Sequence, residues 1–241
     1  MAASYFISDL HLAAERPDST ETLLTFLGGK AKDAERLFIL GDLFEYWVGD
    51  EMLEEQMPAQ VAAALHQLGA GGTGVSYMHG NRDFLIGERF AEAAGMRLLP
   101  DPFPLTLYGT PTLLMHGDTL CTDDTDYLEF RKMVRDPAWQ ADFLAKPLAE
   151  RKELARSVRA ESEHAKQVKS MAIMDVSTET VDSVLREHGY PRLIHGHTHR
   201  PATHHHVVDS HRCERIVLAD WYARGSYLEC DQDGCRSVAL E

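Results

Sequence analysis

Short apolar runs recur along this chain, and each stops abruptly at a polar turn. They are Tyr5-Phe6-Ile7, Leu37-Phe38-Ile39-Leu40, Val75-Ser76-Tyr77-Met78, Leu113-Leu114-Met115 and Leu193-Ile194. Runs this short, rich in aromatic and branched residues and bounded by turn residues, predict buried strands. Between the first three the period becomes helical. One helix is expected from Ser19-Thr20-Glu21-Thr22 through Phe26-Leu27, stopped at Gly28-Gly29. A second is expected from Met57 to Leu68, stopped by Gly69-Ala70-Gly71-Gly72, and a third from about Gly87 to Ala94, stopped by Gly95. Strand–helix alternation up to about residue 120 predicts an α/β core.

From about Asp124 to Met174 no strand signal is present. The segment is rich in Ala, Arg, Lys and Glu, and Pro137 and Pro147 divide it. Its apolar residues include Phe130, Met133, Val134, Trp139, Phe143, Leu144, Leu148, Leu154 and Val158. Residues 126–170 hold ten Lys or Arg against eight Asp or Glu, a local +2 in a chain of net charge −14. We read 124–174 as a helical insertion; from its residues alone it is a solvated hairpin with its apolar stripe on the core. Strand patterns return from Leu193, with Arg215-Ile216-Val217-Leu218 and Ser226-Tyr227-Leu228-Glu229.

The turns that end the apolar runs carry the chemistry. In order they read Asp9-Leu10-His11, Gly41-Asp42, Gly80-Asn81-Arg82-Asp83, His116-Gly117-Asp118 and Gly196-His197-Thr198-His199. Any one means little; five in order after apolar runs are hard to obtain by chance. Open α/β sheets hold ligands beyond the carboxyl ends of their strands. The expectation is five loops converging on one edge of a sheet. The pooled donors are Asp9, Asp42, Asn81, His11, His116, His197 and His199. That set is too large for one tetrahedral zinc. It suits two divalent ions sharing a carboxylate, about 3.5–4 Å apart, a spacing that clamps a phosphoryl group. Imidazole mixed with carboxylate accepts Mn, Fe, Zn or Co.

Residues two apart on a strand end share a face, so Asp9 with His11, and His197 with His199, are expected to point together. Gly41 frees the backbone before Asp42, which makes Asp42 the choice for the shared carboxylate. His195 is expected to support the ligands from behind, and His204-His205-His206 to lie in a solvated loop. Arg82 cannot act as an acid near neutral pH. It can grip phosphate and stabilise developing charge. The reaction it serves should expel a group that needs no proton, as pyrophosphate cleavage does.

Composition narrows this further. The 241 residues, 44% hydrophobic, fit one domain over 1–241 with 124–174 inserted in it. A net charge of −14 argues against a general nucleic-acid binder. Met1-Ala2-Ala3-Ser4 leads into a strand with no basic or long apolar leader, and no stretch has membrane-spanning length. A cytoplasmic location, free or on a membrane's cytoplasmic face, is expected. Cys121, Cys213, Cys230 and Cys235 match no zinc or redox spacing and are expected as free thiols.

The ordered D-x-H, G-D, G-N, H-G-D and G-H-x-H set resembles the calcineurin-like metallophosphoesterase superfamily. The longer blocks Ile7–Leu12, Leu40–Glu45, His79–Gly87, Leu114–Asp118 and Ile194–Pro201 resemble, within it, the UDP-2,3-diacylglucosamine pyrophosphohydrolase family of Gram-negative lipid A synthesis. That resemblance runs essentially full length and implies a four-layer α/β/β/α sandwich with a helical lid at 124–174. It implies two divalent ions, Mn2+ first, one held by Asp9, His11, Asp42 and His199, the other by Asp42, Asn81, His116 and His197. Asp42, Asn81, Arg82, His116 and His197 become the catalytic set. Asn81, Arg82, Asp124, Ser162, Lys166, Lys169 and His197 become substrate contacts; the last three apart from His197 stand four and three apart, on one helical face. The implied reaction is attack of a metal-activated hydroxide on the α-phosphorus of UDP-2,3-diacylglucosamine, giving UMP and 2,3-diacylglucosamine 1-phosphate. The lid's apolar residues would then face acyl chains, and its cations lipid headgroups, with peripheral contact at the inner membrane and no obligate protein partner.

Overall fold

A computed structural model describes the backbone of residues 3–168 and 175–240, and the side chains of 3–160 and 175–240. The chain opens with β1 (Ser4–Ile7), α1 (Pro17–Gly28), β2 (Arg36–Ile39), α2 (Gln56–Ala70), β3 (Gly74–Met78), α3 (Glu88–Ala94) and β4 (Arg97–Leu99). β5 (Phe103–Leu107) and β6 (Thr110–Met115) follow with no helix between them. Then come α4 (Thr125–Val134), α5 (Pro137–Leu144), α6 (Leu148–Val168) and α7 (Thr178–Glu187). The chain closes with β7 (Arg192–His195), β8 (Ala202–Val208), β9 (His211–Val217), β10 (Ser226–Asp231) and β11 (Gly234–Ala239).

The strands form two sheets, ordered β11-β10-β1-β2-β3-β4 and β5-β6-β7-β9-β8. The β1–β4 pairs are parallel, and so are β6 with β7 and β7 with β9. Successive side chains of a strand point to opposite faces, and that alternation builds the layers. Phe6, Phe38 and Met78 of the first sheet meet Leu114, Ile194 and Ile216 of the second in one buried cluster between the sheets. Their neighbours Tyr5, Ile7, Leu37, Ile39, Val75 and Tyr77 pack outward with Leu23, Phe26, Val61, Leu65 and Phe90 of α1, α2 and α3. Leu113, Met115 and Leu193 pack outward on the other side with Val181 and Leu185 of α7. The order helix, sheet, sheet, helix is the four-layer arrangement expected.

Several boundaries differ from the sequence reading. α1 begins at Pro17, not Ser19, because a proline at the first helical position gives up no hydrogen bond. β4 and β5 lack an apolar run: β5 alternates half-buried and exposed residues up to the buried Leu107. The His204-His205-His206 tract is solvated but is no loop; it lies in β8, an edge strand paired antiparallel to β9. The ligand loops do not share one sheet edge. Three follow β1, β2 and β3 and two follow β6 and β7, so the site spans the carboxyl ends of two facing sheets. Cys230 and Cys235 are not free thiols. The β10–β11 hairpin sets them directly opposite, Cα atoms 4.1 Å apart, and they form a disulfide. Cys121 and Cys213 are buried and lie outside any disulfide.

α4, α5 and α6 lie outside the four layers, between β6 and α7 in the chain. They reach the ligand loops through cations. Arg131 donates to Asp118 at 2.6 Å and Arg135 to the Gly80 carbonyl at 2.8 Å. Arg151, 2% exposed, holds Glu51 at 2.7 Å and the Val48 carbonyl, and Arg159 meets Glu45 at 2.6 Å. No helix among the described residues is long and apolar enough to cross a membrane.

Candidate metal centre

The loops reach the centre through an uncommon backbone. Asp9, His11, Asp42, His197 and His199 all have positive φ, 57°, 51°, 53°, 68° and 54°. Left-handed geometry at non-glycine residues costs energy and persists where surroundings over-determine it. Here the loops bond to one another: Asp9 N–H to the Gly41 carbonyl (3.1 Å), His11 N–H to the Asp42 carbonyl (2.9 Å), and Trp221 N–H to the Asp9 carbonyl (3.1 Å). The convergence of Asp9 with His11 therefore comes from curled backbone, not from a shared strand face. His197 and His199 likewise separate, the first toward Asn81 and the second toward His11.

Two glycines make the approach feasible. A Cβ at Gly80 would lie 2.1 Å from Asp42 Oδ1, and one at Gly196 2.3 Å from Asp9 Oδ2. Both contacts are far inside van der Waals distance, so neither position admits a side chain without displacing a buried carboxylate.

The seven sequence-derived donors do meet. His11 Nε2 and His199 Nε2 are 3.2 Å apart, and His199 Nε2 is 3.3 Å from Asp9 Oδ1. Asp42 lies between two imidazoles: Oδ2 is 3.8 Å from His11 Nε2, and Oδ1 3.8 Å from His116 Nε2. Asn81 Oδ1 stands 3.0 Å from His116 Nε2 and 2.9 Å from His197 Nδ1. Two groups have donor atoms mutually within 4.8 Å: Asp9, His11 and His199, and Asp9, Asp42 and His116.

Cations fit this set. Asp9 Oδ2 already accepts from Ser8 Oγ (2.6 Å) and His197 N–H (2.9 Å), while the buried Oδ1 is left facing the imidazoles of His199 (3.3 Å) and His11 (3.9 Å). His116 Nδ1 is engaged by the Leu40 carbonyl at 2.8 Å, leaving Nε2 to face the oxygens of Asn81 and Asp42. Binding the other ring nitrogen in this way orients a ligand imidazole.

The charges point the same way. Burial pushes the Asp42 carboxyl up to about 7, with Asp83 and Asp9 adding repulsion. Burial would lower His116, but Asp42, Asp118 and Asp9 outweigh it and raise it to about 9. Burial holds His11 well below its usual range and, with His116, brings His197 to about 3. These buried carboxylates suit a divalent ion beside His11 and His197, which are held neutral; such an ion would displace the proton that the carboxylates keep on His116, because metal ligands must be deprotonated.

Residues the sequence reading left aside hold this cluster. The Asp83 carboxylate accepts from the N–H groups of Asp42 (3.2 Å), Phe44 (3.1 Å) and Gly80 (3.1 Å), tying two ligand loops together. Asp118 accepts from Tyr127 Oη at 2.5 Å and from Arg131, and Asp101 accepts from His116 N–H at 3.3 Å. The Tyr222 ring stacks on His11, centroids 5.1 Å apart, under the Arg16 guanidinium. Only the Asp after His116-Gly117 and the Asp after Asn81-Arg82 were signalled, by their place inside the motifs. His195 is buried at the end of β7, the strand end expected for it, and contacts the Gly196 carbonyl at 2.8 Å and Arg215 at 3.1 Å.

The remaining candidates are spread around this centre. Arg82 is half-buried, and its N–H donates to Asp42 Oδ1 at 2.8 Å. Asp124 caps α4, accepting from Tyr127 N–H at 3.2 Å. Ser162 and Lys166 lie on α6 with side chains outside the described residues, and Lys169 lies outside them altogether.

Comparison with known proteins places this geometry. A protein from Aromatoleum aromaticum named UDP-2,3-diacylglucosamine hydrolase is 52% identical over 96% of this chain and 94% of its own. Proteins of the same name from Xanthomonas axonopodis pv. citri (51%, 95% of each chain) and Chromohalobacter salexigens (52%, 94% and 92%) are similarly close. The model of the calcineurin-like phosphoesterases matches residues 4–201, an interval that takes in every ligand loop from Asp9 to His199. By that match, and by relatives half identical end to end, the chain belongs to the calcineurin-like phosphoesterase family.

Proposed function

We propose that this chain hydrolyses the pyrophosphate bond of UDP-2,3-diacylglucosamine to UMP and 2,3-diacylglucosamine 1-phosphate, a step of lipid A synthesis. The observation that carries the substrate is the half-identity, over nearly the whole chain, to proteins named for that hydrolysis. Asp9, His11, Asp42, Asn81, His116, His197 and His199 would hold two divalent ions, Mn2+ in this proposal. Such ions lower the pKa of water and neutralise phosphate charge. Asp42 serves both positions, since its two oxygens face different imidazoles.

Water attacks the uridine-side phosphorus, and the lipid phosphate departs. Arg82 grips the pyrophosphate and offsets the charge that develops as the bond breaks. The departing phosphate needs no proton, which suits a guanidinium in that role. Asn81 and His197 complete the phosphate contacts. Asp124, Ser162, Lys166 and Lys169 contact the substrate from the helical segment.

Residues 124–174 act as a lid within a single domain. Met133, Leu144, Leu154 and Val158 are exposed on α4, α5 and α6, 40–47% of each accessible. Apolar side chains in that setting match acyl chains, and they support a protein working on the cytoplasmic face of the inner membrane. The test is release of UMP from the detergent-solubilised lipid substrate with Mn2+ or with EDTA. Metal-dependent release of UMP is expected. Turnover of an aryl phosphodiester with no UMP release would keep the metal centre and reject the lipid.

A further inference from the structure

Away from the metal donors, a cleft of about 230 Å³ is lined by Asp175, Thr198, Arg200, His204, Arg215 and neighbours. None of the seven metal donors lines it. Its wall is the outer face of the second sheet, where His204 and Arg215 are cross-strand partners.

Arg215 is 6% exposed. Its guanidinium contacts His206 Nε2 at 3.3 Å and His195 Nε2 at 3.1 Å. Both are imidazole nitrogens, so these contacts satisfy donors without cancelling the charge. Asp175, the lining carboxylate, is paired with Arg200. Asp182 sits beyond His206, at 3.4 Å from its far nitrogen. Asp175 is thus engaged by Arg200, and among the described residues the Arg215 guanidinium has no carboxylate within salt-bridge distance. Thr198 Oγ1 is buried there with no hydrogen-bond partner. A buried guanidinium is costly unless a counter-charge meets it, and a hydroxyl without a partner among the described residues, on another lining residue of the same cleft, is a ready donor to oxygen.

We infer that this cleft binds a phosphate-class oxyanion, at a site distinct from the metal centre, read by Arg215, Arg200 and Thr198. Guanidinium groups pair with planar or tetrahedral oxyanions through parallel hydrogen bonds. Thr198 lies between His197 and His199, so the anion would steady the loop that carries two metal donors. The chemistry is shared by free phosphate and by the phosphate of a nucleoside monophosphate.

The test titrates inorganic phosphate calorimetrically into full-length protein stripped of metal by EDTA, so that phosphate on bound metal does not contribute. One site is expected. Arg215→Met should weaken it by about tenfold or more, the scale of losing a charge-assisted hydrogen bond. Thr198→Val, nearly the same in shape, should weaken it by about threefold to tenfold, as loss of one neutral hydrogen bond does. UMP that displaces phosphate with the same sensitivity to Thr198→Val makes the ester the ligand; failure to displace leaves free phosphate. Absence of binding at millimolar phosphate overturns the inference. So does binding that Thr198→Val leaves unchanged, a result that holds even if Arg215→Met does not fold.

Discussion

At position 80 a single methyl group would strike Asp42, because the Gly80 backbone passes within 2.6 Å of the Cβ position at Gly41 and against the Asp42 carboxylate. Gly80→Ala is therefore expected to fold, shift Asp42, and lose the rise in melting temperature that Mn2+ gives the parent, since a ligand stabilises only the state it binds. An undiminished Mn2+ shift in that variant would refute the placement of Asp42. Asp42→Asn tests charge instead of space. The amide keeps an acceptor for Arg82 N–H but removes a carboxylate that burial and neighbouring carboxylates disfavour. Turnover should drop by roughly 10³-fold, the scale of losing one preorganised electrostatic contact, while the metal-free melting temperature should not fall. Calorimetry of the EDTA-treated pair separates the two effects. The side chains that converge were legible in the chain, because few residue types can ligate metals and these stood in order after apolar runs. Their geometry was not: left-handed φ at Asp9 and His199 depends on loops distant in sequence. Nor was the part played by Asp83, whose three backbone partners exist only after β2 and β3 lie side by side.

Among the elements, the helical segment is held by a few ion pairs together with Phe143, Leu148 and Ala155, which pack against the larger core cluster. The Arg151 hydrogen bond lowers the Glu51 carboxyl below its ordinary value of 4.5. A carboxylate lowered on folding adds stability above its unfolded pKa and loses it as pH falls through the folded value. Proteolytic nicking within 124–160 should therefore accelerate below pH 4.5 before the sheets unfold, and Arg151→Met should show it already at neutral pH. Uniform resistance of that variant would mean the helices are held by packing alone. The terminal hairpin gives another test. Denatured without reductant, the chain should yield two reactive thiols, Cys121 and Cys213; with reductant, four. The native protein should yield almost none, since burial pushes Cys121 up to about 12 and raises Cys213 too. Strands β1, β2, β3, β6, β7, β9 and β10 were readable because each contains or borders a short apolar run, even where, as in β9 and β10, polar residues share the strand. β8 was not, because an exposed edge strand can be built of histidines, and its pairing with β9 leaves no trace in composition. The disulfide was missed for a similar reason: its spacing is that of a hairpin, which is recognised only once β10 and β11 are paired.

For the molecule as a whole, the two-sheet stack explains why one run of motifs yields one site. The three loops of the first sheet and the two of the second end at the same rim because Phe6, Phe38, Leu114 and Ile194 bring the sheets together with parallel strands on both sides. The alternation that predicted an α/β core was correct in kind, but a single sheet was the wrong picture, since residues 96–117 pass from one sheet to the other without a helix. That passage also sets an order of events. The loop after β1 holds the first two candidate donors, yet β1 pairs with β10 on its outer side, and Trp221 N–H donates to the Asp9 carbonyl. On the ribosome, the earliest residues of the centre must therefore wait until residues 221–231 have emerged. Until then the nascent chain holds β1, the strand that leads into Asp9 and His11, with one edge open. The growing polypeptide thus acquires its metal centre only once β10 is in place, and needs shielding from other chains before that.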